Sequence, residues 1–226
     1  MKFSYRTIIA STLLIASIPS YAGLTVGATR VIFSGDMKEA SLSVKNSDNS
    51  SVYLIRSWVS SDIDGAKVPF LTTPPLFRLE EGQSNNIRIN QTTSNLPQDR
   101  ESVYWLNTLA IPPESEKKTT NSLQFSLNTR IKLFYRPEAL NDPRKAENAS
   151  SELTFTHSGD SLQANNPTPY FVNMSQIKIN GNTLREGYMV APKSSLKIKN
   201  SATSGSINWK AINDYGGLTK EFSAKF

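Results

Sequence analysis

The 226-residue sequence contains no cysteine, one histidine, and no apolar run long enough to cross a bilayer. Without cysteine there are no disulfides, no thiolate nucleophile and no cysteine metal site, so the fold must be held by its core. His157 stands beside Ser158-Gly159-Asp160, but no strand-loop-serine elbow supports a hydrolase, and a surface histidine next to a turn is the better reading. Metal ligands are equally scarce, and nothing implies a cofactor. Paired acids for glycoside hydrolysis could be sought in Glu80-Glu81 or in Asp99 with Glu101, but these read as solvated turn carboxylates. No Lys/Arg run is interleaved with aromatics, which argues against a nucleic-acid groove. Neither an enzyme nor a small-molecule substrate is indicated.

What is present begins with an export signal. Lys2 and Arg6 precede the apolar run Ile8–Ile18, and Ser20-Tyr21-Ala22 has the small-x-small cleavage pattern. The run is shorter than the roughly 20 residues of a membrane span, so residues 1–22 are expected to be removed, leaving Gly23 first. Removal takes two of the 25 basic residues and none of the 19 acidic ones, leaving a net charge of +4. That excess permits anionic partners without requiring them.

No long pattern of helical period appears. Short alternating or β-branched runs are separated by Gly, Pro, Asn and Asp clusters, which predicts an all-β chain. Leu24 to Phe33 reads as a first strand ending at Ser34-Gly35-Asp36. Ala40, Leu42 and Val44 alternate in the next. Val52–Val59 is more continuous, which suggests burial on both sides. Tandem prolines at Pro74-Pro75 exclude a central strand over Phe70–Leu79 and point to an edge or a switch of sheet. Ile87 and Ile89 alternate, and Val103–Leu109 is an aromatic strand stopped at Ile111-Pro112-Pro113. About seven such strands fit an immunoglobulin-like sandwich. Glu138–Ser150 is polar and proline-containing, and reads as the connection to a smaller β domain whose clearest turn is Asn180-Gly181-Asn182. The expected division is 1–22, 23–138 and 139–226.

One stretch, Asn121–Pro137, organises the rest. Leu123, Phe125 and Leu127 share one side of an extended chain, and Arg130, Lys132, Phe134 and Arg136 share the other. Alone, the apolar ridge reads more naturally as half of a sandwich core than as a binding surface.

Several stretches together resemble the periplasmic chaperones of chaperone/usher pilus assembly. They are Thr29-Arg30, Thr73-Pro74-Pro75 with Phe77-Arg78-Leu79, Leu96–Ser102, Ile111-Pro112-Pro113, Ile131–Pro137, Asn166–Asn173 and Ile212–Gly217. They occur in the family's order across nearly the whole exported chain. The resemblance implies two immunoglobulin-like sandwiches at an angle, with a cleft between them. It implies that Arg30 and Lys132 hold the terminal carboxylate of a pilus subunit, and that Leu123, Phe125 and Leu127 enter the groove of a subunit lacking its last strand. It implies an ionic cluster of Glu101, Arg136 and Asp214 between the domains. An outer-membrane usher is the second implied partner, the periplasm the compartment, and the bare ridge is a surface through which free copies can meet. The short Glu114–Thr120 connection and the absent cysteines resemble the short-loop branch, which assembles rod-like pili with tip adhesins. The rival reading is a pilus subunit or adhesin. Such a chain would be expected to carry a free alternating N-terminal extension, and to lack the basic strand Ile131–Pro137 inside an intact sandwich.

Overall fold

The computed structural model describes residues 23–48, 50–63, 66–114 and 123–226. The export signal, Asn49, part of the Asp62–Gly65 turn, most of the Glu114–Thr120 connection and the start of Asn121–Pro137 lie outside the described residues.

The first sandwich is built from β1 (Leu24–Val26), β2 (Arg30–Ser34), β3 (Glu39–Asn46), β4 (Tyr53–Ser60), β5 (Phe70–Thr73), β6 (Leu76–Leu79), β7 (Ser84–Gln91), β8 (Ser102–Ile111) and β9 (Leu127–Arg136). One sheet has the order β1-β3-β7-β5 and the other β2-β9-β8-β4-β6. Alternation decides the core. Leu42, Phe70 and Ile89 from the first sheet meet Val31, Phe33, Val59, Leu106, Leu133 and Tyr135 from the second.

The single strand expected over Leu24–Phe33 is in fact two strands in different sheets: β1 pairs with β3, whereas β2 pairs with β9. The break is Gly27-Ala28-Thr29, where the Gly27 amide donates to the Ser43 carbonyl before the chain crosses over. The tandem prolines behave as expected, since β5 and β6 on either side of them are edge strands of opposite sheets. Buried Ser57 stitches this crossing, donating its amide to the Pro75 carbonyl and its hydroxyl to the Pro74 carbonyl, and accepting from Thr72 Oγ1. Burial on both faces of β4 is not found. Ile55, Ser57 and Val59 are buried while Leu54 and Arg56 are exposed, so a run of apolar and β-branched residues concealed a one-sided strand.

After Pro137, the polar connection contains a helix that its composition did not suggest, α1 (Pro143–Asn148). Its start follows from capping: the Asp142 side chain accepts from the Arg144 and Lys145 amides, and Pro143 occupies the first turn. The second sandwich comprises β10 (Thr154–Ser158), β11 (Ser161–Asn166), β12 (Val172–Ile179), β13 (Asn182–Thr183), β14 (Tyr188–Val190), β15 (Ser194–Lys199), β16 (Ser206–Ala211) and β17 (Phe222–Lys225). One sheet is β10-β11-β15, the other β13-β12-β16-β17 with β14 also on β12. Asn180 and Gly181 have φ of 50° and 84°, the left-handed pair that a two-residue hairpin requires. The Asn166–Pro169 corner is held by Asn166, which donates to the Tyr170, Val190 and Ala191 carbonyls and accepts from Thr168.

Trp209 centres the second core, its ring 5.0 Å from Phe155 and 5.8 Å from Phe222. Trp209→Ala is expected to lower unfolding free energy by about 3–5 kcal/mol, read from the midpoint of a urea titration.

Candidate functional site

Strand β9 runs parallel to β2, and their register sets Arg30 directly beside Lys132. On β9, Ile131, Leu133 and Tyr135 turn into the first core, which leaves Lys132, Phe134 and Arg136 facing the second sandwich. A single strand thereby supplies core on one side and interdomain contacts on the other.

Both neighbouring cations are held by acceptors from the second sandwich. Arg30 Nη1 donates to the Ile212 carbonyl at 3.1 Å, and its buried Nε has no partner among the described residues. Lys132 Nζ donates to Asn173 Oδ1 at 2.5 Å. Burial lowers the pKa of Arg30, against the attraction of Asp214. Burial also lowers the pKa of Lys132, the positive charge of Arg30 adds to the effect, and Asp62 opposes it. Two desolvated like charges side by side, one with an idle donor, form a site that favours an anion. A cavity of about 250 Å³ reaches Arg30 along Phe134, Phe171 and Tyr215, with Arg144 of α1 on its wall.

Deeper in the cleft, Glu101, Arg136 and Asp214 come together. Arg136 Nε donates to Glu101 Oε1 at 2.7 Å, and its two terminal nitrogens donate to the Asp214 carboxylate at 2.7 and 2.9 Å. The second Glu101 oxygen accepts from the Phe171 amide at 2.7 Å, and the Glu101 amide donates to the Pro169 carbonyl. Burial pushes the Glu101 carboxyl up, while Arg136 and the Phe171 amide pull it down. Burial works to lower the Arg136 pKa as well, and the two carboxylates outweigh it, so the guanidinium stays charged. Removing one member of such a set leaves an unpaired buried charge, at a typical cost of about 3–5 kcal/mol.

The ridge residues lie bare. Leu123, Phe125 and Leu127 are 81 %, 75 % and 60 % exposed, so the reading of this ridge as ordinary core does not hold. Regular strand begins only at Leu127, and residues 123–126 precede it without ladder pairing. Between the ridge side chains, Gln124 donates to the Pro112 and Pro113 carbonyls at 3.0 and 2.7 Å, tying the segment to the end of β8.

The pili and flagellar-assembly chaperone family, PapD N-terminal domain, matches residues 23–141, and the pili assembly chaperone PapD C-terminal domain matches residues 148–223. The chain belongs to the pili assembly chaperone family. It is 42% identical to the chaperone protein FocC of Escherichia coli, covering 95% of each chain. It is 42% identical to the chaperone protein FimC of Escherichia coli strain K12, covering 89% of this chain and 84% of that one. Among solved structures, the Salmonella enterica SafA pilin in complex with the SafB chaperone matches with a TM-score of 0.83 and 32% identity, over 93% of this chain and 99% of that one.

In this chaperone the structure therefore brings together Arg30 with Lys132, and Glu101 with Arg136 and Asp214, and leaves Leu123, Phe125 and Leu127 open to solvent. Arg130 departs from the row of cleft cations. It pairs with Asp62 at 3.0 Å and stacks over Trp105 at 4.2 Å, so its charge is already engaged beside Lys132. Asn173 and the Ile212 carbonyl were missed as contributors. Both lie within quoted family stretches, but an amide side chain and a main-chain oxygen carry no signal of charge or period.

A lysine with a depressed pKa binds fewer protons folded than unfolded, so its contribution to stability improves as pH rises through the window from that pKa to 10.5. Carbon-13 NMR of the lysine ε-methylenes is expected to show Lys132 deprotonating below pH 10.5, with Arg30→Ala moving it partly back up.

Proposed function

We propose that this chaperone is exported to the periplasm, binds pilus subunits there, keeps them folded and delivers them to an outer-membrane usher. It acts by lending a strand and not by chemical catalysis. The observation that carries the reading is the layout of residues 123–132, where the exposed ridge leads along one continuous segment to Lys132, which strand register sets beside Arg30 of β2.

A sandwich lacking its last strand has an open apolar groove and two unpaired backbone edges, which is a template for aggregation. An extended strand from a partner satisfies both edges and fills the groove with every second side chain. Each large apolar side chain buried contributes roughly 1.5–3 kcal/mol before ordering costs. Apolar contacts alone tolerate a slide of two residues, because such a slide restores the same parity. A terminal carboxylate between Arg30 and Lys132 removes that freedom. From Lys132 back to Leu127 an extended strand covers about 17 Å, so anchoring one end assigns each side chain its pocket.

The SafB complex with SafA pilin supports a subunit as the occupant, and relatives named as chaperones favour this reading over a pilus subunit. We further place the division between the domains after Glu138, and assign the chain to the short-loop branch that assembles rod-like pili.

Arg30→Ala and Lys132→Ala are each expected to fold and to lose retention of subunits, since removing one partner of a desolvated charge pair costs about 2–5 kcal/mol. The measurement is recovery of periplasmic chains on the purified variant by mass spectrometry, and recovery equal to the parent would contradict the clamp. Phe125→Asp is expected to weaken capture with no change in the melting temperature of the free protein. A fall in that temperature would return the side chain to the chaperone's own core.

A further inference from the structure

The clamp cations belong to the first domain, yet every hydrogen bond the structure gives their head groups comes from the second. Lys132 is held by Asn173 Oδ1 and Arg30 by the Ile212 carbonyl. These two acceptors are themselves joined, because the Ile212 amide donates to the Asn173 carbonyl at 2.9 Å. Ile212 opens a stiff turn. The Asn213 amide donates to the Gly217 carbonyl, the Gly216 amide donates to the Asn213 carbonyl, and Asn213 Oδ1 accepts from the Tyr215 and Gly217 amides. The same turn carries Asp214, the residue that grips Arg136. It also seats closely against the first domain: Gly216 has φ of 84°, and a Cβ there would lie 2.3 Å from Thr29 Oγ1, next to Arg30 in the chain.

We infer that the second domain positions the clamp, with Asn173 and the Ile212–Asp214 turn as positioning groups, so that carboxylate recognition exists only in the closed arrangement of the two domains. This rests on the reading of Arg30 and Lys132 as a carboxylate clamp. Ammonium and guanidinium groups on long side chains sample many rotamers when free, and an acceptor that fixes them converts two mobile charges into a preorganised pair. Asp214 in this scheme acts at a distance. It makes no hydrogen bond to either clamp cation, and reaches the clamp through the turn that presents the Ile212 carbonyl.

Charge and position make opposite forecasts here. Asp214 is a negative charge near Arg30, so a clamp working by net charge alone binds an anion more tightly once Asp214 is neutralised. A clamp that depends on placement binds it less tightly. Removing the Asn173 acceptor likewise frees Lys132 without removing any positive charge.

The test uses a synthetic peptide of alternating apolar and polar residues with a free C-terminal carboxylate, alongside the same peptide amidated, titrated calorimetrically into the full exported chain. The ratio of acid to amide affinity reports the clamp alone. In both Asn173→Leu and Asp214→Asn this ratio is expected to fall about tenfold, corresponding to 1.4 kcal/mol, while amide binding stays unchanged. Asn173→Leu keeps the interdomain ion cluster, so it decides the matter even if Asp214→Asn fails to fold. A ratio that is unchanged or raised in Asn173→Leu overturns the inference while leaving the clamp in place. A parent protein that does not distinguish acid from amide overturns the clamp itself, and the inference with it.

Discussion

The bidentate grip of Asp214 on Arg136, with Glu101 on the remaining edge of the guanidinium, is the constraint on which the cleft depends. Arg136 ends the strand that carries Lys132 and follows on from the ridge, so fixing it fixes where that strand meets the second sandwich. Buried ion sets of this kind add little net stability compared with well-packed apolar groups. Their value lies in directionality. An apolar contact between two domains tolerates sliding, whereas five donors in a planar fork accept one arrangement of two carboxylates. The Phe134–Phe171 ring contact at 5.5 Å supplies apolar burial alongside, and the ion set decides its alignment.

The clamp shows the opposite balance. Arg30 and Lys132 are placed side by side by strand register, in a partly desolvated position where the charge of Arg30 raises the cost of charging Lys132. A folded protein keeps such a pair only if the rest of the structure overdetermines it, and here the β2–β9 ladder and the second domain's acceptors do so. On the proposed reading, a carboxylate seated between them relieves this repulsion, and part of the driving force for capture is stored in the free molecule. The Glu101–Arg136–Asp214 set, by contrast, has its one guanidinium satisfied by two carboxylates and is net negative, so it offers no attraction to a further anion.

Legibility in the sequence followed the range of the interaction. Alternation revealed most strands, because period two is a local property of the chain, and the tandem prolines marked the crossing between β5 and β6 for the same reason. The split of Leu24–Phe33 into β1 and β2 escaped notice because only Gly27 punctuates the run, and the crossing shows instead as a change of core side from the even positions Leu24 and Val26 to the odd positions Val31 and Phe33. The β4 run looked buried on both faces because Leu54 is apolar whether it faces core or water. The short α1 rests on one cap and one proline, too little to stand out in a polar stretch. Among site residues, charge made Arg30, Lys132 and the cluster visible through family resemblance, and parity placed Leu123, Phe125 and Leu127 together. Nothing local marks Asn173 or the Ile212 oxygen, whose roles come from the packing of one domain on the other.

On the odd-numbered side of β9, Ile131, Leu133 and Tyr135 pack into the first core, and Leu127, Phe125 and Leu123 precede them at odd positions, exposed among the described residues. Among the described residues, the apolar side of the first sandwich thus runs on past its core toward solvent at this end. A partner strand seated on it, as proposed, would prolong a row of side chains that begins inside the chaperone's own core and is broken only at Thr129.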